Sequence, residues 1–421
     1  MPFRRYGQDV TGGEGAVRAL RTGGATPARQ AQLREHNLGI VLGEILHSPG
    51  PISRADISGR TGLTRTTVSA LVDQLLQAGM VAELPVVRSR TAGRPAVPLI
   101  PATGTIAAVG LEVNVDYLGV RVLDLAGEVI AERVVPGDHR RREPAEVLGA
   151  LADLFAATVY PLSKREIPLA GACVALPGLI DSGTGPLRIA PNLHWSGVDV
   201  VALLAGQPAL HDVPIRIANE ATLGAQAENA ALRGADVQSF LYVSGEIGIG
   251  GAIVLDRRLW AGSRGWGGEI GHTTVDPTGP ECGCGSTGCL EMFAGKDALM
   301  SAAGLDRDLP VDALVAAATA GRKAATRAIE DAGRALGIAL SGALNLLDVD
   351  TVVLGGLYAP LTDLLVPAVQ EQLSRRVLAH PFAPVTIRPA VVTDHAALTG
   401  AARSVLDEVL ADPSTWISRA G

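Results

Sequence analysis

Three of the chain's four cysteines, Cys282, Cys284 and Cys289, fall within eight residues, and His272 stands ten residues before the first of them. Three thiolates and one imidazole complete a tetrahedral donor set for Zn²⁺, and the glycines between the cysteines let the backbone turn tightly enough to aim every sulfur inward. A disulfide with a spare thiol, or three unconnected core cysteines, are the other uses of such residues. The clustering favours a structural zinc. So does the lack of an apolar run in residues 1–30, which gives no secretory signal and points to the reducing cytoplasm. Glu269 and Glu291 bracket the cluster, so folding the loop around one metal brings two carboxylates to the same side. Carboxylates held beside an imidazole are acceptors for the hydroxyls of a sugar ring.

At 421 residues and 43.3 kDa the chain is long enough to build two or three domains around that loop. Apolar residues make up 47%, but no stretch reaches the roughly 18 unbroken apolar residues of a membrane span, so no membrane partner is expected. Net charge is −7 and uneven: residues 1–105 hold twelve Arg and no Lys against seven Asp and Glu, a net of +5, which leaves −12 for the remainder. A basic front on an acidic body suits a nucleic-acid-binding module fused to something else.

Residues 1–28 are rich in Gly, Thr and Arg and read as a mobile tail. From 29 to 100 the pattern predicts a winged helix-turn-helix. Leu33, Ile40, Val41, Ile45 and Leu46 form the apolar stripe of a first helix, and Ser53 with Asp56 is a capping box opening a second. Thr61-Gly62-Leu63 makes the turn, and Thr64 caps a third helix with Val68, Leu71, Val72, Leu75 and Leu76 inward. Arg65, Thr66, Thr67 and Ser69 lie off that stripe, suited to phosphate and base-edge contacts in double-stranded operator DNA. Residues 80–84 predict a wing strand, and Arg90 and Arg94 stand on a basic tip shaped for the minor groove. Pro98 to Thr103 reads as a connector. Beyond it, apolar bursts at 107–113, 118–125 and 129–135, a helix from 144 to 158 and a strand at 169–176 predict an α/β layer fold.

The run Glu269-x-Gly-His272, then Cys282-x-Cys284-Gly-x-x-Gly-Cys289-x-Glu291, resembles the signature of the ROK family of sugar kinases and sugar-responsive repressors. The resemblance extends over 105–411 through Pro191-Asn192-Leu193-His194-Trp195, the Asn219 site, a glycine-rich turn at 244–251 and Val352-Val353-Leu354-Gly355-Gly356. It implies an actin-like, hexokinase-type ATPase fold of two α/β lobes. The first lobe is expected at 105–230, the second with the zinc loop at 231–395, and a C-terminal helix in 396–421 packing back on the first. It also implies a monosaccharide in the cleft, held by Asn192, Asn219, Glu220, Glu269, His272 and Glu291, and a homodimer or homotetramer.

The family contains both enzymes and regulators, and three departures separate them here. Where its kinases carry a glycine loop for ATP phosphates, this chain has Glu112-Val113-Asn114-Val115-Asp116-Tyr117, whose carboxylates repel phosphate. Glu220 stands where the kinases place a catalytic Asp, and Glu246 where they place a hydroxyl. No ATP and no catalytic residue are therefore expected. The expectation is a transcriptional regulator, a repressor of carbohydrate genes in the cytoplasm. The alternative is a zinc-containing sugar kinase with a fused DNA-binding front. Cys173, His194, His211 and His395 read as core or surface residues, and Trp195 either as packing or as a platform for a sugar ring.

Overall fold

The computed structural model describes residues 28–85, 97–181 and 185–420. The tail expected over 1–28, apart from Ala28, lies outside the described residues, as do Arg90 and Arg94 at the wing tip.

The front module has helices α1 (Ala28–Leu46), α2 (Arg54–Thr61) and α3 (Arg65–Gln77) with strands β1 (Ile52–Ser53), β2 (Val81–Glu83) and β3 (Pro98–Pro101). Ser53 and Asp56 form the expected capping box, Gly62 closes α2 at φ 72°, and the Thr64 side chain accepts from the Thr67 amide. Arg54 ties the module together by donating to Glu83 and Asp73 at 2.7 and 2.9 Å. One expectation fails: Pro98–Pro101 is no connector but the central strand of the sheet β1-β3-β2. Its prolines sit at the two ends of the strand, so Leu99 and Ile100 keep their ladder amides, and Leu99 is fully buried opposite Ile52.

Two five-stranded sheets follow. The first lobe contains β4 (Ala107–Val113), β5 (Tyr117–Asp124), β6 (Val129–Pro136), α4 (Pro144–Ser163), β7 (Leu169–Leu176), the small ribbon β8 (Leu179–Ile180), β9 (Leu187–Ala190) and β10 (Trp195–Val198), α5 (Val200–Ala205) and β11 (Ile215–Asn219). Its sheet runs β11-β7-β4-β5-β6, with the β4-β5-β6 meander antiparallel and β7 and β11 parallel to β4. Helix α4 is long and apolar enough by composition to cross a membrane. Here Val147, Leu148, Leu151 and Phe155 bury that apolar face in the lobe's core.

After α6 (Glu220–Ala231), the second lobe contains β12 (Phe240–Gly245), β13 (Ile249–Leu255), β14 (Arg258–Trp260), α7 (Glu291–Ala294), α8 (Lys296–Ala302), α9 (Val311–Thr319), α10 (Lys323–Leu347), β15 (Thr351–Gly356), α11 (Thr362–Arg376) and β16 (Thr386–Pro389). Its sheet runs β14-β13-β12-β15-β16, again a three-strand meander with two parallel strands added beyond its first. The two sheets therefore share one topology.

The C-terminal segment is two helices rather than one, α12 (Ala396–Ala411) and α13 (Pro413–Ala420). Helix α12 packs on α6 and on β4, β5 and β7 of the first lobe. The approach is close because glycines meet backbone: a Cβ on Gly110 would stand 2.1 Å from Leu398 O, and one on Gly400 1.8 Å from Leu223 O. The end of α12 and the start of α13 touch α1. Leu38, Val41 and Leu42 of α1 thus share one continuous core with Ala108, Leu123, Ala402 and Val409, so the front module is built into the first lobe.

Candidate functional site

The cysteine loop folds upon itself before any ion is considered. The Cys282 amide donates to Ser286 O and the Gly285 amide to Cys282 O, while Val275 N reaches Gly288 O at 2.8 Å and Leu290 N reaches Thr273 O. Gly288, at φ 67°, passes Asp276 so closely that a Cβ would stand 1.6 Å from its carbonyl oxygen. These constraints bring His272 Nδ1 and the sulfurs of Cys282, Cys284 and Cys289 within 4.8 Å of one another. A tetrahedral zinc with bonds near 2.3 Å sets sulfurs about 3.8 Å apart. Cys284 and Cys289 Sγ are 3.7 Å apart, and Cys282 Sγ is 3.8 Å from His272 Nδ1. The four residues fit a metal ion. Because the ring turns Nδ1 to the sulfurs, Nε2 is left for another partner.

The same loop feeds directly into Glu291, the first residue of α7. Glu291 Oε2 accepts from the Ile249 amide at 3.2 Å. A Cβ on Gly248 would stand 2.4 Å from Glu291 Oε2 and 2.6 Å from Asn192 Nδ2, so a glycine is what lets these two side chains converge. They line a cavity of about 550 Å³ together with Gly283 of the cysteine loop and Arg307. Burial raises the pKa of Glu269, His272 opposes that shift, and Glu291 adds to it.

Asn219 does something the sequence did not suggest. It is the N-cap of α6: Oδ1 accepts from the amides of Ala221 and Thr222 at 2.9 and 3.1 Å, and Nδ2 donates to Gly178 O at 3.1 Å. One N–H of its amide remains for a ligand. Glu220, the next residue, lines a larger interlobe cavity of about 630 Å³ with Glu112, Tyr117, Glu246, Lys296 and His395. Burial pushes Glu112 up to about 7. Burial and the charge of Glu112 push Glu246 up to about 8. Glu220 is raised well above the usual carboxylate range by burial and then by Glu112, Glu246, Glu269 and Glu291. The predicted acidic residues therefore share one electrostatic neighbourhood, although Asn192 and Glu291 face one cavity and Glu220 the other.

Two residues of this region were not foreseen. His395, set aside on sequence grounds as a core or surface residue, is the left-handed N-cap of α12 at φ 47°, its ring edge-on to Tyr117 at 5.1 Å. Lys296, on a different element again, lies 3.6 Å from Asp116. No sequence spacing links them, since the cleft gathers them from both lobes. Trp195 is buried and donates Nε1 to Arg142 O at 3.0 Å, which makes it a packing residue. In the front module Arg65 and Thr66 are exposed at the start of α3, Ser69 is half-buried, and the Thr67 hydroxyl is paired with Thr64 Oγ1 at 2.9 Å.

Residues 108–408 match the ROK family model, and residues 39–94 match the MarR family model. The xylose repressor of Bacillus subtilis (strain 168) is 29% identical over 385 residues, covering 91% of this chain and 98% of that protein. The DNA-binding transcriptional dual regulator NagC of Escherichia coli (strain K12) is 27% identical over 369 residues, covering 84% and 89%. Among solved structures, a ROK family transcriptional regulator, homolog of the E. coli MLC protein, superposes with a TM-score of 0.75 at 24% identity, covering 92% of this chain and 98% of that one. With most of its length matched by that one model, and a MarR-type winged helix in front, the chain belongs to the ROK family.

Proposed function

We propose that this protein is a sugar-responsive transcriptional repressor: α3 and the wing hold operator DNA, and a monosaccharide between the lobes changes that hold. The carrying observation is α12. Its first residues, Ala396 and Ala397, line the same interlobe cavity as Glu220, the residue assigned to the inner side of the sugar, and its last turn meets α1 of the DNA-binding module. Sixteen residues at a rise of about 1.5 Å make a rod of roughly 24 Å between the two. Arg121, itself buried, holds the cleft end by donating to Asp394 O and Thr399 Oγ1. A ligand that binds one lobe arrangement better than the other shifts this rod and with it α1; equal affinity for both would shift nothing.

Asn192, Glu269, Glu291 and the free edge of His272 are assigned to the sugar, with Glu220 and the spare N–H of Asn219 at its inner side. A Zn²⁺ held by His272, Cys282, Cys284 and Cys289 fixes the loop that leads into Glu291 and preorganises the site. Likeness to a xylose repressor makes xylose the first sugar to test. The protein works in the cytoplasm as a homodimer or homotetramer, a two-fold pair reading two half-sites.

Phosphoryl transfer is disfavoured on three counts. The end of β4 presents the Glu112 side chain where phosphate would need bare amides, and Glu246 crowds the Gly355-Gly356 turn, its Oε1 lying 2.9 Å from where a Gly356 Cβ would stand. Glu220 stands where the family's kinases place an Asp, and a base displaced by about 1 Å costs on the order of 100-fold in rate. Fluorescence anisotropy on labelled operator, with a panel of monosaccharides and a parallel ADP-release assay with Mg-ATP, tests the reading. Release of DNA by one sugar without ADP formation is expected. Multiple-turnover ADP release, or operator binding indifferent to every sugar, overturns it.

A further inference from the structure

We infer that the interlobe cavity lined by Glu112, Glu246 and Asp394, next to the Glu220 assigned to the sugar, is a second ligand site, one that takes a small aliphatic amine. At about 630 Å³ it is the size of a small-molecule site and too large for a lone ion. Its four carboxylates, Glu112, Glu220, Glu246 and Asp394, come from separate elements, the end of β4, the start of α6, the turn after β12 and the loop before α12, so both lobes contribute.

The decisive group is Glu112. Only 2% exposed, it receives the Tyr117 hydroxyl on Oε1 at 2.7 Å; among the described residues Oε2 makes no hydrogen bond of normal geometry, with the unpaired Asn114 amide another side chain that favours its charged form. A buried carboxylate oxygen left unsatisfied at a cavity wall is costly, and a charged donor placed against it removes that cost. The lining also carries Val311, Leu357, Pro360 and Pro389, apolar groups suited to a short hydrocarbon body. Among the described residues Lys296 is the one ammonium on the lining, and it is already engaged with Asp116 at 3.6 Å. His395 is held towards its neutral form by burial and by Arg121. Anions thus meet carboxylates with little to offset them, whereas an ammonium group meets carboxylate acceptors on several sides. The raised pKa values of Glu112 and Glu246 fit the same picture, since a cation entering the cavity replaces protons held there.

Isothermal titration calorimetry on the full-length protein with three probes of matched length isolates the charge: 5-amino-1-pentanol, 1,5-pentanediol and 5-hydroxypentanoate. Saturable binding of the amine, weaker or no binding of the diol and none of the carboxylate is expected, with protons released on amine binding in buffers of different ionisation enthalpy. Glu246→Gln should weaken the amine about tenfold, and Lys296→Met, which removes a competing cation, should tighten it. Opposite signs from two substitutions in one cavity cannot come from misfolding. Xylose titrations on the same variants should be unchanged, which separates this site from the sugar reading. No amine binding, equal binding of the carboxylate, unaltered affinity in both variants, or competitive occupation by Mg-ADP overturns the inference.

Discussion

Gly39 on α1 faces Leu410 at the end of α12, and a Cβ there would stand 2.9 Å from the Leu410 carbonyl oxygen and 3.6 Å from that of Ala411. Ordinary carbon–oxygen contacts lie at 3.4–4 Å, so Gly39→Ala must move α1 and α12 apart by about 0.5–1 Å. Two energies oppose each other. Alanine in the middle of a helix gains about 1 kcal/mol over glycine, while overpacking a backbone contact costs about 1–3 kcal/mol. The net effect on stability is a loss of about 2 kcal/mol at most. The α3 surface is untouched, so operator affinity of the sugar-free protein should stay within about threefold. What changes is the fit of the rod against the module it moves. The sugar-induced fall in operator affinity, followed by anisotropy at fixed salt, should shrink by about tenfold or more. A thermal melt on the same sample shows that the fold persists. If Gly39→Ala responds to sugar as the parent does, with the melt confirming a folded protein, α12 is not the route by which the cleft reaches the DNA-binding module.

The cysteine loop gives a second test: atomic absorption should find close to one zinc per chain, and Cys284→Ser should lose it together with the sugar response. Chelation of the parent should lower its melting temperature by several degrees, since binding a structural ion adds to the free energy of the folded state. The buried carboxylates give a third. Glu112 rises from about 4.5 unfolded to about 7 folded, so its protonated form favours the native state. That contribution, about 3 kcal/mol, is fully present below pH 4.5 and is lost as pH rises towards 7. His47 acts in the other direction: burial, then Arg233 and Arg403, lower it to about 4, so its contribution is lost as pH falls from 6.5. The clean readout is therefore a difference. Glu112→Gln should melt higher than the parent at pH 8, and the gap should close or reverse at pH 5.

Local chemistry explains which parts of this molecule were legible in the amino-acid order. Caps and turns are decided within a few residues, so the Ser53–Asp56 box, the Gly62 stop and the Thr64 cap were readable before any coordinates. The cysteine cluster was readable for the same reason: its donors lie on one short loop whose glycines permit few alternatives. Proline misled at 98–101, because a strand of four residues closed at each end by proline looks like a linker until its partners are known.

Other features exist only through contacts distant in sequence. The two sheets repeat one topology from Ala107 and again from Phe240, with no repeat visible in the side chains, because strand order is set by pairing rather than residue identity. Asn219 carried a sugar-binding assignment, and the fold gave most of its amide to capping α6. Glu112, Glu220, Glu246, Lys296 and His395 are scattered over nearly 300 residues, and only the closing of one lobe on the other makes them neighbours. The union of α1 with α12 is likewise a tertiary fact: Gly39 and Leu410 lie at opposite ends of the chain, and a shared hydrophobic core brings them together.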